Sequence, residues 1–342
     1  MNKAIEIKKL GTIDVINATV PYSQDPTSVF HTLCENKTDS LLLESAEIES
    51  KQNLTSLLLI DSAVRIVCEG HQVTFQALTD NGQHLIEHLS ANVKSDIKSA
   101  LEDNVLTLSF TQPSINLDED SRLREASSFD ALRLVQHSFT QDPDNKHALF
   151  MAGLFAYDIV ANFEPLGDAE ATNNCPDFVF YVAETLLRFD HQQNEGLLHA
   201  SVFSEDQTIK TRLTERLADI QTQCQSLKEI AEVTPLDNVE AVPSVSDEDF
   251  CQTVRDLKEY VVKGDVFQVV PSRRFTLPCP APLAAYKELK QSNPSPYMFY
   301  MQDELFTLFG ASPESALKYE TETNQIEIYP IAGTRRRGKR PD

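Results

Sequence analysis

The stretch Leu57–Leu78, LLLIDSAVRIVCEGHQVTFQAL, decides the fold class. It holds three short apolar runs rich in leucine and β-branched residues, which cover positions 57–60, 64–68 and 73–78. Asp61-Ser62 and Glu69-Gly70 separate these runs, and such polar or glycine-containing pairs are typical of turns. The pattern therefore predicts three strands of an antiparallel meander.

Further strands and helices are expected along the whole chain. Ser40–Glu44 contains three consecutive leucines, which is typical of a buried strand. Other strand-like runs cover 178–183, 197–203, 266–270, 297–301, 306–309, 316–319 and 325–331. Four segments show the helical spacing of apolar residues. The first follows Ser128, a predicted N-cap, and the second covers 209–220. The third begins with a capping box at 246–249 and ends at Gly264, and the fourth covers 282–289. The predicted fold class is α+β with large antiparallel sheets.

The chain of 342 residues is longer than one hydrophobic core usually supports, so two domains or one large layered domain are expected. A polar, non-periodic stretch flanked by Pro235 and containing Pro243 predicts a linker over 236–245. This linker divides an N-terminal region, 1–235, from a second region, 246–342.

Charge and composition exclude several classes of protein. The formal net charge is −22, so the surface should repel phosphate backbones and anionic membranes. No nucleic-acid or membrane partner is therefore expected. The N-terminal residues show no signal-peptide pattern, and we expect a cytoplasmic protein with six reduced, dispersed cysteines.

The segment His84-Leu-Ile-Glu-His88 matches the H-x-x-E-H pattern of inverted zinc peptidases. Five letters recur by chance, and the apolar residues between the histidines supply an ordinary helix face. We therefore predict no metal ligand here.

Two other segments carry chemistry that suits a small ligand. Glu44-Ser45 places a carboxylate and a hydroxyl at the end of a leucine-rich strand, where they could bind an ammonium group or simply close the strand. The run 294–299, PSPYMF, could form the wall of an aromatic ligand site or part of the core. The basic run 335–340 follows Gly333-Thr334 and is either an anion-binding loop or a solvated charge run.

Seven segments, in order, together resemble the large subunit of anthranilate synthase in its enteric-type bacterial form. The segments are LLLESA at 41–46, GLFAYD at 153–158, NCPDF at 174–178, FQVVPSRR at 267–274, NPSPYMF at 293–299, FGASPES at 309–315 and IYPIAGTR at 328–335. The resemblance implies two large orthogonal antiparallel sheets with peripheral helices. It also implies a regulatory, tryptophan-binding region at 1–235 and the start of a chorismate-binding catalytic domain at 246–342.

The resemblance implies a reaction and its partners. Chorismate and ammonia would give anthranilate and pyruvate, the first step of tryptophan biosynthesis. A separate glutamine amidotransferase subunit would supply ammonia within a heterotetramer, Mg²⁺ would hold chorismate, and tryptophan would inhibit by feedback.

The resemblance also carries over particular residues. Ser45, Pro296, Tyr297 and Met298 match the tryptophan site, and Glu44 lies beside it. Gly333 and Thr334 match chorismate contacts. The family's catalytic residues and Mg²⁺ ligands are expected downstream of Asp342, so no catalytic or metal residue is assigned, and these residues alone are expected to be inactive.

Two alternatives remain open. The first is the large subunit of aminodeoxychorismate synthase, which aminates another carbon of chorismate; the LLES and NPSPYMF segments favour the tryptophan pathway over it. The second is a non-catalytic tryptophan-binding or subunit-docking fragment.

Overall fold

The computed structural model describes residues 9–35, 37–45, 55–112, 117–122, 124–140, 143–164, 175–232 and 239–330. The chain divides into two compact units. The first comprises Met1–Ile230 and Tyr286–Asp342, and the second comprises Ala231–Ala285.

An eleven-stranded antiparallel sheet organises the first unit. Its strands are β1 (Asp14–Val20), β2 (Ser40–Glu44), β3 (Thr55–Glu69), β4 (Gln72–Ala77), β5 (Lys98–Glu102), β6 (Val105–Ser109), β7 (Met151–Phe155), β8 (Phe178–Asp190), β9 (Glu195–Val202), β12 (Tyr297–Gln302) and β13 (Thr307–Ser312). The main path runs β1-β9-β8-β3-β2-β12-β13, and β7, β4, β6 and β5 lie off it. A separate hairpin pairs β14 (Lys318–Glu320) with β15 (Gln325–Glu327).

Strands β3 and β8 pair over almost their full length, and their register shifts between Leu59 and Val64. Before the shift β3 pairs with β2, and after it β3 pairs with β4. Bulges bend a strand and increase its twist, and they let strands pass from one sheet into another. The large antiparallel sheet with helices confirms the predicted fold class, and the two expected sheets are here two groups of strands joined through β3 and β8.

Helices cover this sheet and complete the core of the first unit. They are α1 (Pro26–Cys34), α2 (Asp80–Asn92), α3 (Glu119–Arg122), α4 (Phe129–His137), α5 (Gln207–Gln223) and the end of α7 (Pro282–Ser292), with 3₁₀ turns at Pro143–Asn145 and Tyr157–Asn162. The buried residues of α2 and α4, including Leu85, Leu89 and Leu134, pack with Phe75 and Leu106 of the sheet. This apolar burial is the main stabilising contribution of the two helices.

The second unit contains α6 (Asp247–Lys263), a short pairing of β10 (Val242–Pro243) with β11 (Phe275–Thr276), and the start of α7. The Ser246 hydroxyl accepts a hydrogen bond from the Asp249 backbone N–H at 3.1 Å, as the capping box predicted. Gly264 ends α6 in the left-handed conformation with φ of 83°, which costs glycine little.

The sequence-based division of the chain differs from the packing at one point. The region 246–342 was predicted as a continuous unit, but the chain rejoins the first unit at Tyr286. The physical reason is that β12 forms a hydrogen-bonded ladder with β2. The assignment of regulatory and catalytic roles to 1–235 and 246–342 stays a prediction.

Three local predictions were wrong. The runs 57–60 and 64–68 form one strand and not two strands joined by a turn. Asp61 stays within this strand because Thr185 and Arg216 donate hydrogen bonds to its carboxylate, at 2.6 Å and 2.9 Å. Residues 266–270 form no strand. Ser128 precedes α4 in a helical conformation and makes no side-chain cap.

The histidines of the H-x-x-E-H segment lie on α2 and have separate surroundings. The Nε2 atom of His88 lies 3.0 Å from the carbonyl oxygen of Ser138, and its ring packs 4.9 Å from that of Phe139. His84 is more exposed and lies 3.9 Å from the Glu87 carboxylate. These contacts assign His88 a packing role.

None of the described helices combines the length and apolar character needed to cross a membrane. All six cysteines lie within the described residues, and each is a free thiol. Burial raises the pKa of Cys34 and Cys68 to about 12 and that of Cys224 to about 11.

The thiols should therefore react in two groups of three. An aromatic disulfide reagent should modify the exposed Cys175, Cys251 and Cys279 in the native protein, because only an accessible thiolate attacks. The other three should react only after denaturant is added. Fewer than six reactive thiols in denaturant without reductant would reveal a disulfide.

A glycine at the start of α2 is required by close packing. A Cβ atom at Gly82 would lie 1.9 Å from the carbonyl oxygen of Ala63, which already accepts a hydrogen bond from Leu78. Gly82→Ala should therefore lower the free energy of unfolding by about 2–4 kcal/mol, because backbone must move. Chemical denaturation measures this.

Gly70→Ala is the matched control for this substitution. Gly70 has φ of 58° and open space around it, so alanine there meets only conformational strain, about 1 kcal/mol. Equal losses at the two positions would show that the contact with Ala63 is unimportant.

Candidate functional site

Strands β2 and β12 bring together residues that are far apart in the sequence. Their antiparallel register places Met298 directly opposite Glu44. Directly opposed residues project to the same face of a sheet. Both are buried, with 5% of Glu44 and 1% of Met298 exposed. Two of the five predicted tryptophan-site residues are therefore neighbours.

The Glu44 carboxylate is held by three donors. Its Oε1 accepts hydrogen bonds from the Thr27 hydroxyl at 3.0 Å and the Tyr286 hydroxyl at 2.5 Å. Its Oε2 accepts from the Lys290 ammonium at 2.6 Å. A buried carboxylate needs such partners, because an unpaired buried charge is very costly.

The sequence analysis did not identify the three donors of Glu44. Thr27 lies on α1, and Tyr286 and Lys290 lie one turn apart on α7. Spacing of four residues places two side chains on the same helix face, which is the signal available in the sequence. The cation that meets Glu44 in this structure is thus Lys290, whereas the sequence suggested a ligand ammonium.

Aromatic rings adjoin this carboxylate. The Tyr286 ring lies 5.5 Å from that of Tyr300 and 6.2 Å from that of Phe309, and Phe30 packs against Tyr300 at 5.7 Å. Burial, followed by the charge of Glu44, raises the pKa of Tyr286 well above its usual value. Tyr286 therefore stays a neutral hydrogen-bond donor.

The remaining predicted residues are more accessible. Tyr297 is 49% exposed, and as the neighbour of Met298 in β12 it projects to the opposite face of the sheet. Ser45 and Pro296 are half-buried beside the ends of the two strands. The five residues therefore share one sheet corner but divide between its buried and accessible sides. Gly333, Thr334 and the basic run 335–340 lie outside the described residues.

A second buried ionic cluster fixes the connection between β12 and β13. Arg65 donates from Nε and Nη2 to the two carboxylate oxygens of Asp303, each at 2.9 Å, and the Tyr181 hydroxyl also donates to Asp303. Burial alone would raise the pKa of Asp303, but these hydrogen bonds hold that pKa below its usual value. The cluster ties β12 to both long strands of the sheet.

Among the described residues, no three side chains of His, Cys, Asp or Glu converge as metal ligands would. None of them is therefore assigned to Mg²⁺.

Comparison with known proteins identifies the family. The profile described as "chorismate binding enzyme" matches residues 74–342, which is more than half of the chain. The chain belongs to the chorismate binding enzyme family. The match begins within β4 and runs through β12 and β13, so it includes Met298 and the donors Tyr286 and Lys290.

Individual members of the family align over nearly the entire chain. Anthranilate synthase component 1 of Vibrio parahaemolyticus is 70% identical over all 342 residues, which span 63% of that relative. The Escherichia coli protein of the same name is 49% identical over 331 residues, covering 97% of this chain and 64% of the relative. The chain therefore spans less than two thirds of these relatives.

A solved structure also matches. Anthranilate synthase component I from Streptococcus pneumoniae superposes with a TM-score of 0.48 at 21% identity, covering 80% of this chain and 54% of that one. The family assignment does not depend on this superposition.

The ion pair of Glu44 should contribute measurably to stability. Lys290→Met would leave Glu44 buried without its cation, so the free energy of unfolding should fall by about 2–4 kcal/mol. This loss is smaller than that expected for a fully buried ion pair, because the Lys290 side chain is partly exposed. Adding Glu44→Gln should recover part of the loss. Denaturant unfolding of both single variants and the double variant gives the coupling.

Lys146→Met is the matched control. Lys146 pairs with Glu322, but both side chains are 70% exposed, so its replacement should barely change the free energy of unfolding. If Lys290→Met is as mild as this control, the Glu44 pair is not a stabilising contact.

Proposed function

We propose that this chain is part of the large subunit of an anthranilate synthase, which converts chorismate and ammonia to anthranilate and pyruvate. The observation that carries the proposal is the 70% identity to anthranilate synthase component 1 over every residue of the chain. Membership of the chorismate binding enzyme family supports the substrate. Gly333 and Thr334 are the proposed chorismate contacts in this chain.

The partners belong to the same proposal. Ammonia would come from glutamine through a separate amidotransferase subunit in a heterotetramer, and the word "component" in the relatives' name agrees with such a partner. Mg²⁺ would supply positive charge to the carboxylate of chorismate. The described residues bring together no set of three His, Cys, Asp or Glu side chains for this ion.

We place tryptophan inhibition at the corner formed by β2 and β12. Ser45 offers a hydroxyl to the polar end of the amino acid, and Pro296 and Tyr297 offer accessible apolar surface. Met298 contributes a soft, adaptable side chain behind them. This combination suits a ligand with an ammonium at one end and an indole at the other.

Glu44 has a defined part in this proposal. A carboxylate has about four lone-pair positions, and three donors already contact this one. A tryptophan ammonium would share Glu44 with Lys290 or displace it. Because α7 carries Lys290 and β12 carries Met298, a ligand here would act on α7, β2 and β12 together.

Inhibition then follows from a difference in affinity. Tryptophan lowers activity only if it binds a low-activity arrangement of these elements more tightly than an active one. Residues at this corner should therefore change the tryptophan concentration needed for inhibition and leave uninhibited turnover nearly unchanged.

Ser45→Phe and Met298→Thr should each raise the tryptophan concentration for half-inhibition about tenfold or more. The first substitution fills the site and removes a hydroxyl partner, and the second removes apolar contact. The first measurement is ammonia-dependent anthranilate formation by the complete large subunit at increasing tryptophan concentrations. The second is calorimetric titration of the 342-residue chain with tryptophan.

Met301→Thr is the matched control for Met298→Thr. Met301 is equally buried in the same strand, but it pairs with Leu41 and not with Glu44. It should lose comparable stability and keep normal inhibition. If turnover collapses in Ser45→Phe while inhibition persists, the corner belongs to the catalytic apparatus and the assignment is wrong.

Identifying the product that the complete subunit forms from chorismate and ammonia tests the reaction itself. Formation of aminodeoxychorismate in place of anthranilate by the complete subunit would assign the chain to the alternative chorismate-aminating enzyme. Anthranilate formed by the 342 residues alone would contradict the expectation that they are inactive.

A further inference from the structure

A cavity of about 250 Å³ lies against β1, β8 and β9, away from the β2–β12 corner. Its floor is formed by Asn17, Arg188, Leu197 and His199. Asn17 is directly opposite His199, and Arg188 is directly opposite Leu197. Since Leu197 and His199 are two residues apart, all four side chains project from the same face of the sheet.

The segment 144–148 forms the other wall of the cavity. The Nε2 atom of His199 lies 3.1 Å from the carbonyl oxygen of His147, and the two imidazole rings are nearly parallel at 6.3 Å. A carbonyl oxygen only accepts, so Nε2 carries the proton. The Nδ1 atom of neutral His199 is consequently unprotonated and becomes a donor only when the ring is charged.

Arg188 is the unusual residue of this cavity. Its Nε atom is buried and has no hydrogen-bond partner among the residues that the structure describes. Within the described part of the chain, no carboxylate lies at ion-pair distance from its guanidinium, whereas Arg65 and Arg216 each pair with a buried aspartate. Leaving a buried donor without a partner costs free energy, and a bound water or ion is one of the explanations for such a group in a native protein.

The other charged groups around the cavity lie toward its rim. Lys146 lines it and forms an ion pair with Glu322 at 2.8 Å. Asp144 also lines it and is exposed. The strand β1 contributes Val15 and Asn17, which carry no charge. The cavity is thus more basic than a chain with a net charge of −22 would suggest.

We propose that this cavity binds a small oxyanion, a phosphate or carboxylate group, with Arg188 as the principal donor and His147 and His199 beside it. A guanidinium presents several N–H groups in one plane, which matches the oxygens of either group. The volume lies below the roughly 300–1,000 Å³ of pockets for drug-sized ligands, so the ligand is small.

The histidines make this binding depend on pH. Burial lowers the pKa of His199 to about 4, and burial, followed by the charges of Arg188 and Lys146, lowers the pKa of His147. Both rings are therefore neutral near pH 7. A bound anion favours their charged forms and raises both pKa values, so binding takes up protons and tightens as pH falls from about 8 to about 5.

The test is calorimetric titration of the 342-residue chain with sodium sulfate, inorganic phosphate and malonate at constant ionic strength. We expect saturable binding that Arg188→Gln weakens at least about tenfold. The matched control is Arg133→Gln, which removes the same charge from an exposed side chain of α4 and should bind as the parent does. Sulfate serves the pH series, because its own charge stays constant there.

The outcomes are distinct. Binding of phosphate and sulfate alone assigns a phosphate group, and binding of malonate alone assigns a carboxylate; both support the site. No saturable binding of any probe, or equal weakening by Arg133→Gln, overturns it. Since Arg188 takes no part in the Glu44 cluster, failure here leaves the proposed function untouched.

One measurement avoids the risk that Arg188→Gln fails to fold. In the parent chain, the pKa of His199 followed by NMR should rise when sulfate is added. An unchanged pKa at a sulfate concentration that saturates the calorimetric signal would also overturn the proposal.

Discussion

The pairing of β3 with β8 is the constraint on which the rest of the structure depends. These two strands are the longest in the sheet, and the other nine attach to them directly or through one or two intervening strands. Their shared register shift places Asp61 inside the sheet, where a carboxylate is costly without partners. Burial would raise the pKa of Asp61, but hydrogen bonds from Arg216 and Lys37 hold it below its usual value. The bend of the sheet and the position of α5, which carries Arg216, are therefore coupled.

The corner between β2 and β12 shows how a distant segment completes this framework. Main-chain hydrogen bonds align β12 with β2, and two buried carboxylates then secure the alignment from opposite ends of β12. Glu44 takes its cation from α7, and Asp303 takes its cation from β3. Each pair includes further hydrogen bonds, which is the condition under which a buried ion pair is tolerated. An amino acid that binds at this corner would have to work within this preformed set of charges.

The positively charged side chains of the first unit differ in whether they pair with a carboxylate. Lys290, Arg65 and Arg216 are all engaged with carboxylates inside the first unit. Arg188 lies on the same long strand as Tyr181 yet faces a cavity in place of an acid. Arg188 is half-buried with a buried Nε atom, and among the described residues no carboxylate pairs with its guanidinium, which local geometry explains better than the acidic composition of the chain does.

The sequence by itself determined many of the strands, the helices α4 to α7 and the family resemblance, because these depend on local periodicity, capping residues and short motifs; the strands β1, β5, β6 and β7 were not predicted from it. Ser40–Glu44 and the capping box before α6 are examples in which neighbouring residues contain all the information. Only the tertiary structure decided that Asp61 continues a strand, that Tyr286 onward rejoins the first unit, and that Lys290 meets Glu44. Each of these three features depends on a partner more than a hundred residues away: Thr185 for Asp61, β2 for the segment after Tyr286, and Glu44 for Lys290. The energy of a buried charge is set by such partners and not by its sequence neighbours.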